Sequence, residues 1–294
     1  MIAFFRRIFS DFSDDECGVR AAALAYYTIF ALPPLLILLI LLVGLVWDPA
    51  QVQSALESQF STMVGAEGGR AIHDMLAHAK RPGSGGWYAT SLGVAALLFG
   101  AIGAFMQLQG ALNRAWEVRP DPHQGGIKRF VMKRVLSLGM IVCVAFLLIV
   151  SLSVSAVLSA LSTKMAFPDT AFTVVDLGLS FAVLTVLFAA IFRFLPDAEI
   201  AWGDVWMGAL VTSLLFVAGK FAIGYYLGRS APGDAYGAAG ALAIILVWVY
   251  YAGMIVLFGA EFTQAWAERK GVKIRPEKGA VRIETREVVT DITR

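Results

Sequence analysis

Two cysteines and three histidines are all the thiol and imidazole chemistry the chain contains. Cys17 sits on a charged flank and Cys143 in a distant apolar run, so a disulfide framework is excluded and no metal-ligand spacing exists. His73 and His78 do not share a helix face well, and His123 stands alone. A metal nuclease needs clustered His and carboxylate ligands outside the bilayer. The chain also lacks a glycine-rich phosphate loop, a nucleophile elbow and a zinc motif. No catalytic residue, metal or cofactor is therefore expected, and the protein is read as not an enzyme. Charge is scarce too. Only 16% of the 294 residues are charged and 58% are hydrophobic, against about a quarter charged in soluble domains. Such a chain needs a solvent other than water around it, which makes it an integral membrane protein. The start, M-I-A-F-F-R-R-I-F-S-D-F, has no apolar core or cleavage site of signal-peptide type, so insertion is expected to rely on the first span.

What is present is a set of long apolar runs. A span needs roughly 20 apolar residues to cross about 30 Å of hydrocarbon. Six segments qualify, at about 21–47, 87–113, 135–163, 170–195, 205–228 and 236–261. The expected fold is all-α and polytopic, and an even span number puts both termini on one side. Lys and Arg gather in the N-terminus, in 114–134 and in the tail, whereas the alternate segments hold only Arg70, Lys80, Arg81, Lys164 and Arg229. Both termini are therefore expected to be cytoplasmic.

Between and around the spans, residues 1–14 place Ile2, Phe4, Phe5, Ile8, Phe9 and Phe12 on one arc, which reads as an amphipathic helix in the interface. An ordinary packed amphipathic helix gives the same pattern. The outer loop 48–86 carries two helical patterns broken by G-A-E-G-G. The membrane domain spans 15–270. The tail 271–294 is charged, has no apolar face and is expected to be loose.

Proline interrupts the uncharged run from Ala21 to Trp47. Pro33 and Pro34 leave the carbonyls of Ile29 and Phe30 without donors, so the first span is expected to kink. The piece A-A-A-L-A-Y-Y-T is expected to face other helices, and the leucine-rich piece after the prolines to face lipid.

Ionisable residues inside spans are costly and tend to face protein or water. Asp176 and Lys220 fall at similar depths on consecutive spans and are expected to approach each other. With Gln107 they form a candidate intramembrane polar path, or an ion pair that only fixes helix register. Arg20, Arg114, Arg193 and Glu261 all fall near the cytoplasmic boundary. Glu261 near a helix C-terminus calls for a cationic partner, and sequence does not choose among the three arginines. Gly100, Gly103, Gln107, Gly110 and Arg114 lie within about 80° of arc, so the glycines are expected to form a close-packing face.

Four stretches carry a family resemblance. They are A-A-A-L-A-Y-Y-T-I-F-A-L-P-P-L-L from Ala21, G-A-F-M-Q-L-Q-G-A-L-N-R-A-W-E-V from Gly103, F-L-P-D-A-E-I-A-W-G-D-V-W-M-G-A-L from Phe194, and the last span from Tyr236 to Phe262. In this order, over about residues 15–270, they resemble the YihY/BrkB family of inner-membrane proteins. The resemblance implies six spans in a bacterial inner membrane. Some members carry a ribonuclease label; others are associated with virulence, serum resistance or lipid export. Two functions follow: a transporter or flippase-like protein for a lipid or other amphiphile, or a non-transporting structural protein of the envelope. The implied partners are membrane lipids, not nucleic acid, and self-association is left open.

Overall fold

A computed structural model describes residues 2–64, 66–79, 103–123, 139, 142, 144, 146, 147, 149, 169–229, 240–272 and 274–283. The chain is mostly helical. The elements used below are α1 (Ile2–Asp14), α2 (Cys17–Val43), α3 (Pro49–Val64) and α4 (Ala66–Ala79). They continue with α5 (described over 103–115), β1 (Val118–Pro120), α6 (Asp169–Phe194), β2 (Ala198–Glu199), α7 (Trp202–Arg229), α8 (Gly240–Arg269), β3 (Arg275–Pro276) and β4 (Ala280–Arg282). Four of these helices contain segments long and apolar enough to cross a membrane: Cys17–Val43, Leu177–Phe194, Trp202–Ala222 and Leu242–Arg269. The expected second span is described only from 103, and the third lies almost wholly outside the described residues.

α8 is the hub. It packs against α2, α7, α1 and α4. Its contact with α7 interlocks. A Cβ on Gly208 would run into the Thr263 side chain, and a Cβ on Gly259 would run into Thr212. The hydroxyls of both threonines donate back to the glycine one turn earlier, Thr212 to Gly208 O at 2.7 Å and Thr263 to Gly259 O at 2.6 Å. Each helix thus presents a glycine followed four residues later by a threonine, and each threonine fills the other helix's gap. This is how membrane helices gain from contact when lipid is as apolar as leucine: small residues permit close approach, and the hydroxyl needs no outside partner. Further along, the Tyr251 side chain of α8 fills the space over Gly219 of α7.

α2 runs as one helix from Cys17 to Val43 with both prolines inside it, so a kink at Pro33-Pro34 leaves the helix continuous. Pro34 is buried, and surrounding packing holds the helical path despite two absent donors. The division of faces follows the expectation only in part. Ala21 and Ala25 do pack inward, with Ala21 against Gly253. Tyr26, however, is 59% exposed, and Tyr27 and Phe30 are exposed beside it. Leu32, Leu36, Leu39, Ile40 and Val43 are buried. Leucine content does not say which way a helix turns; the position of α8 and of the α3–α4 hairpin does.

That hairpin follows a clear local rule. Asp48 caps α3, its Oδ1 accepting from Ala50 N at 2.8 Å and Gln51 N at 3.2 Å, with Pro49 in the first helical position where no donor is needed. Ile72 and Leu76 are fully buried, each contributing about 1.5–3 kcal/mol relative to exposure in water.

The tail also differs from expectation. Gly271 (φ 76°) ends α8 in a Schellman turn, with Val272 N donating to Ala267 O at 3.0 Å and Gly271 N to Glu268 O at 2.9 Å. β3 then pairs antiparallel with β2, a turn at Gly279 (φ 82°) reverses the chain, and β4 pairs antiparallel with β1. Through Ile283 the tail is a strap, not a loose end. An edge strand needs backbone partners rather than an apolar face, which is why hydropathy missed it. Residues 284–294 lie outside the described residues.

Candidate functional site: a polar cluster where the termini meet

α1 and the end of α8 lie together. Arg7 pairs with Glu268, and Phe4 meets Phe262 edge-on at 5.7 Å. The same end gathers the turn between α1 and α2, the exit of α5, the α6–α7 connection and the strap. Two backbone sites there are strained: Glu16 (φ 53°) and Glu117 (φ 51°) occupy the left-handed region, at a cost of about 1–2 kcal/mol each.

The centre of this end is a reciprocal pair. Asn113 Nδ2 donates to Asp197 Oδ2 at 2.7 Å, and Asp197 N donates to Asn113 Oδ1 at 2.8 Å. Gln109 adds a longer contact to the same oxygen at 3.3 Å. Asp197 is 0% exposed. Its backbone oxygen accepts from Glu277 N at 2.9 Å, which ties the strap to the same residue. Next to it Trp116 packs edge-on against Phe192 at 5.8 Å.

Beside the pair lies a set of charges. Arg114 Nε pairs with Asp15 Oδ1 at 2.9 Å. Arg20 Nε donates to Asp15 O at 2.9 Å. Burial pushes the Asp15 carboxyl above the usual carboxylate range even with Arg114 beside it. Asp11 takes Arg7 at 3.3 Å, and Glu117 takes Arg282 at 2.7 Å. Glu261 stands apart. It is 1% exposed, its Oε1 accepts from Cys17 Sγ at 3.6 Å, and its Oε2 has no hydrogen-bond partner among the described residues. The charges of Asp15, Asp11 and Glu117 reach it.

The expected residues divide accordingly. None of the three candidate arginines is the partner of Glu261. Arg20 and Arg114 serve Asp15, while Arg193 donates to Ile200 O and lies 5.7 Å over the Trp202 ring. The connections hold carbonyls and carboxylates nearer to each guanidinium than Glu261 is. Gly100 lies outside the described residues. Gly103 lies close to Tyr27, at 3.3 Å from a would-be Cβ, and among the described residues nothing lies within 4 Å of a Cβ built on Gly110. Gln107 is half-buried, and it is Gln109 that bonds. The side chain of Asp176 lies outside the described residues; that of Lys220 is half-buried. Among the described residues no group of three His, Cys, Asp or Glu could hold a metal ion.

Sequence reading missed Asn113, Asp197, Cys17 and Asp15. The signal for the first two was present: each lies inside one of the four stretches that carry the resemblance.

An apolar helical bundle with a polar cluster closing one end defines an integral membrane protein. The family described as Virulence factor BrkB matches residues 8–284. Relatives are each named a UPF0761 membrane protein. One from Alcanivorax borkumensis is 30% identical over 90% of this chain and 60% of its own. One from Pseudomonas paraeruginosa is 30% identical over 88% and 61%. One from Vibrio vulnificus is 27% identical over 92% and 84%. The chain spans about 60% of the length of the first two. No solved structure matches. The chain belongs to the BrkB family.

Proposed function

We propose that the protein is a transporter or flippase-like protein for a lipid or other amphiphile, with six spans and both termini on the cytoplasmic side of a bacterial inner membrane. Glu261 carries this reading. A buried carboxylate on the central helix that, among the described residues, has no cation beside it, unlike Asp15, Asp11 and Glu117, is costly to keep for packing alone. It suits a group that meets a substrate or a proton during a working cycle. The meeting of the described termini at one end agrees with an even span count, and the Lys and Arg bias favours the cytoplasmic side for that end. Asp176 and Lys220 would contribute polar groups nearer the opposite face. The interlocked α7–α8 crossing favours a second reading, a rigid non-transporting scaffold of the envelope. Neither reading involves an enzymatic step or nucleic acid.

Reconstitution into liposomes with fluorescent lipids separates the two. The transport reading predicts lipid exchange between leaflets above the protein-free rate, reduced by Asp176→Asn and Lys220→Met. Equal exchange with and without protein supports the scaffold and removes the transporter.

A further inference from the structure

We propose that the outer face of α1 is a docking surface for the headgroup–acyl boundary of the bilayer, preset by its attachment to the last span. α1 has two apolar faces. Phe4, Ile8 and Phe12 point to α8: Ile8 is fully buried with Phe262 and Ala265, and Phe12 lies 6.2 Å from Phe258. A second face, Ile2, Phe5 and Phe9, remains uncovered, with Ile2 87% and Phe9 62% exposed. Arg6 flanks this second face, about 60° from Phe9 on a helical wheel.

The bilayer must end alongside this face. α8 has 30 residues, about 45 Å of helix, against about 30 Å of hydrocarbon. The uncharged run of this helix ends at Ala260, before Glu261, so the hydrocarbon ends about level with Phe258 and Phe262, the residues against which Phe9 and Phe4 pack. Phe9 also meets Phe258 at 5.7 Å, so the exposed phenyls continue the lipid-facing side of the last span. A phenyl-rich face with an arginine at its edge matches acyl chains beside phosphates. The Arg7–Glu268 pair and buried Ile8 hold the helix in place beforehand, so little ordering is left to oppose docking.

The test uses the full chain with Cys143→Ser, an environment-sensitive fluorophore at Phe5→Cys, Phe9→Cys or Ser10→Cys, and vesicles of phosphatidylcholine and phosphatidylglycerol. Cys17 is buried and stays unlabelled. The expected result is several-fold stronger quenching at the Phe5 and Phe9 positions by nitroxides placed high on the acyl chains, with weak quenching by aqueous iodide. The Ser10 position should show the reverse. Iodide quenching equal at all three positions would overturn the proposal. So would shielding from both quenchers that disappears on diluting protein into excess lipid, which marks a second copy on that face. A Phe9→Ser variant, read at the Phe5 position, should keep its detergent stability and lose the nitroxide signal.

Discussion

Replacing Asn113 by Ala should destabilise the protein more than any other single truncation at the end where the termini meet. The side chain supplies a donor to a buried carboxylate at 2.7 Å and an acceptor for a buried N–H at 2.8 Å. A hydrogen bond to a charged group is worth about 1.5–3 kcal/mol and a neutral one about 0.5–1.5, and a buried group left unsatisfied loses its full desolvation penalty. The expected loss is roughly 2–4 kcal/mol. For a chain of this size that lowers the unfolding temperature by about 3–6 °C, measured in detergent by tryptophan fluorescence with Trp116 beside the pair as reporter. Asn113→Asp should be worse, because it sets a carboxylate against Asp197. The exchange Asn113→Asp with Asp197→Asn restores a donor facing an acceptor, and should recover part of the loss. A shift of under about 1 °C for Asn113→Ala, or an exchange no better than Asn113→Asp alone, would refute the reasoning.

Other consequences follow from the same contacts. Gly259→Ala and Gly208→Ala should each cost at least about 1–3 kcal/mol by overpacking, and pairing Gly208→Ala with Thr263→Ala should recover part of the loss in thermal unfolding; additive losses would argue against interlocking. Gly271→Ala should cost about 1 kcal/mol by forcing a side chain into the left-handed region, and should raise amide exchange in the strap from Arg275 to Arg282. Burial raises the carboxyls of both Asp11 and Asp15, so in the fold the protonated form is favoured relative to the unfolded chain. Their contribution is complete below the ordinary carboxylate value and is lost as pH rises through the raised folded values. Unfolding temperature should therefore fall over that acidic window, and Asp15→Asn should flatten the fall; an unchanged profile would contradict the assignment.

Much of the fold could be read from hydropathy, because a span must be apolar for about 20 residues whatever it packs against. The α3–α4 hairpin announced itself through the two helical patterns broken by G-A-E-G-G. Orientation within the bundle was hidden. Tyr26 and Leu36 are both apolar enough for either face, and only the position of α8 decides which is covered. The strap was hidden because its strands pair by backbone, although Lys270-Gly271 and Lys278-Gly279 are the turn signals such a path requires. At the site, charge arithmetic expected an arginine on Glu261, yet each arginine found a nearer acceptor. The Asn113–Asp197 pair is a contact between two connections far apart in the chain, so no local period reports it. The reciprocal glycine–threonine spacing of α7 and α8 was readable, but glycine count pointed to α5 instead.

The transport account stands most directly on Glu261, so the decisive measurement is leaflet exchange of fluorescent lipid in proteoliposomes by wild type and Glu261→Gln at matched reconstitution. The account predicts that the variant unfolds at the same temperature or higher, since an unpaired buried carboxyl is gone, while exchange falls to near the protein-free rate. Exchange equal to wild type in a stably folded variant would contradict it.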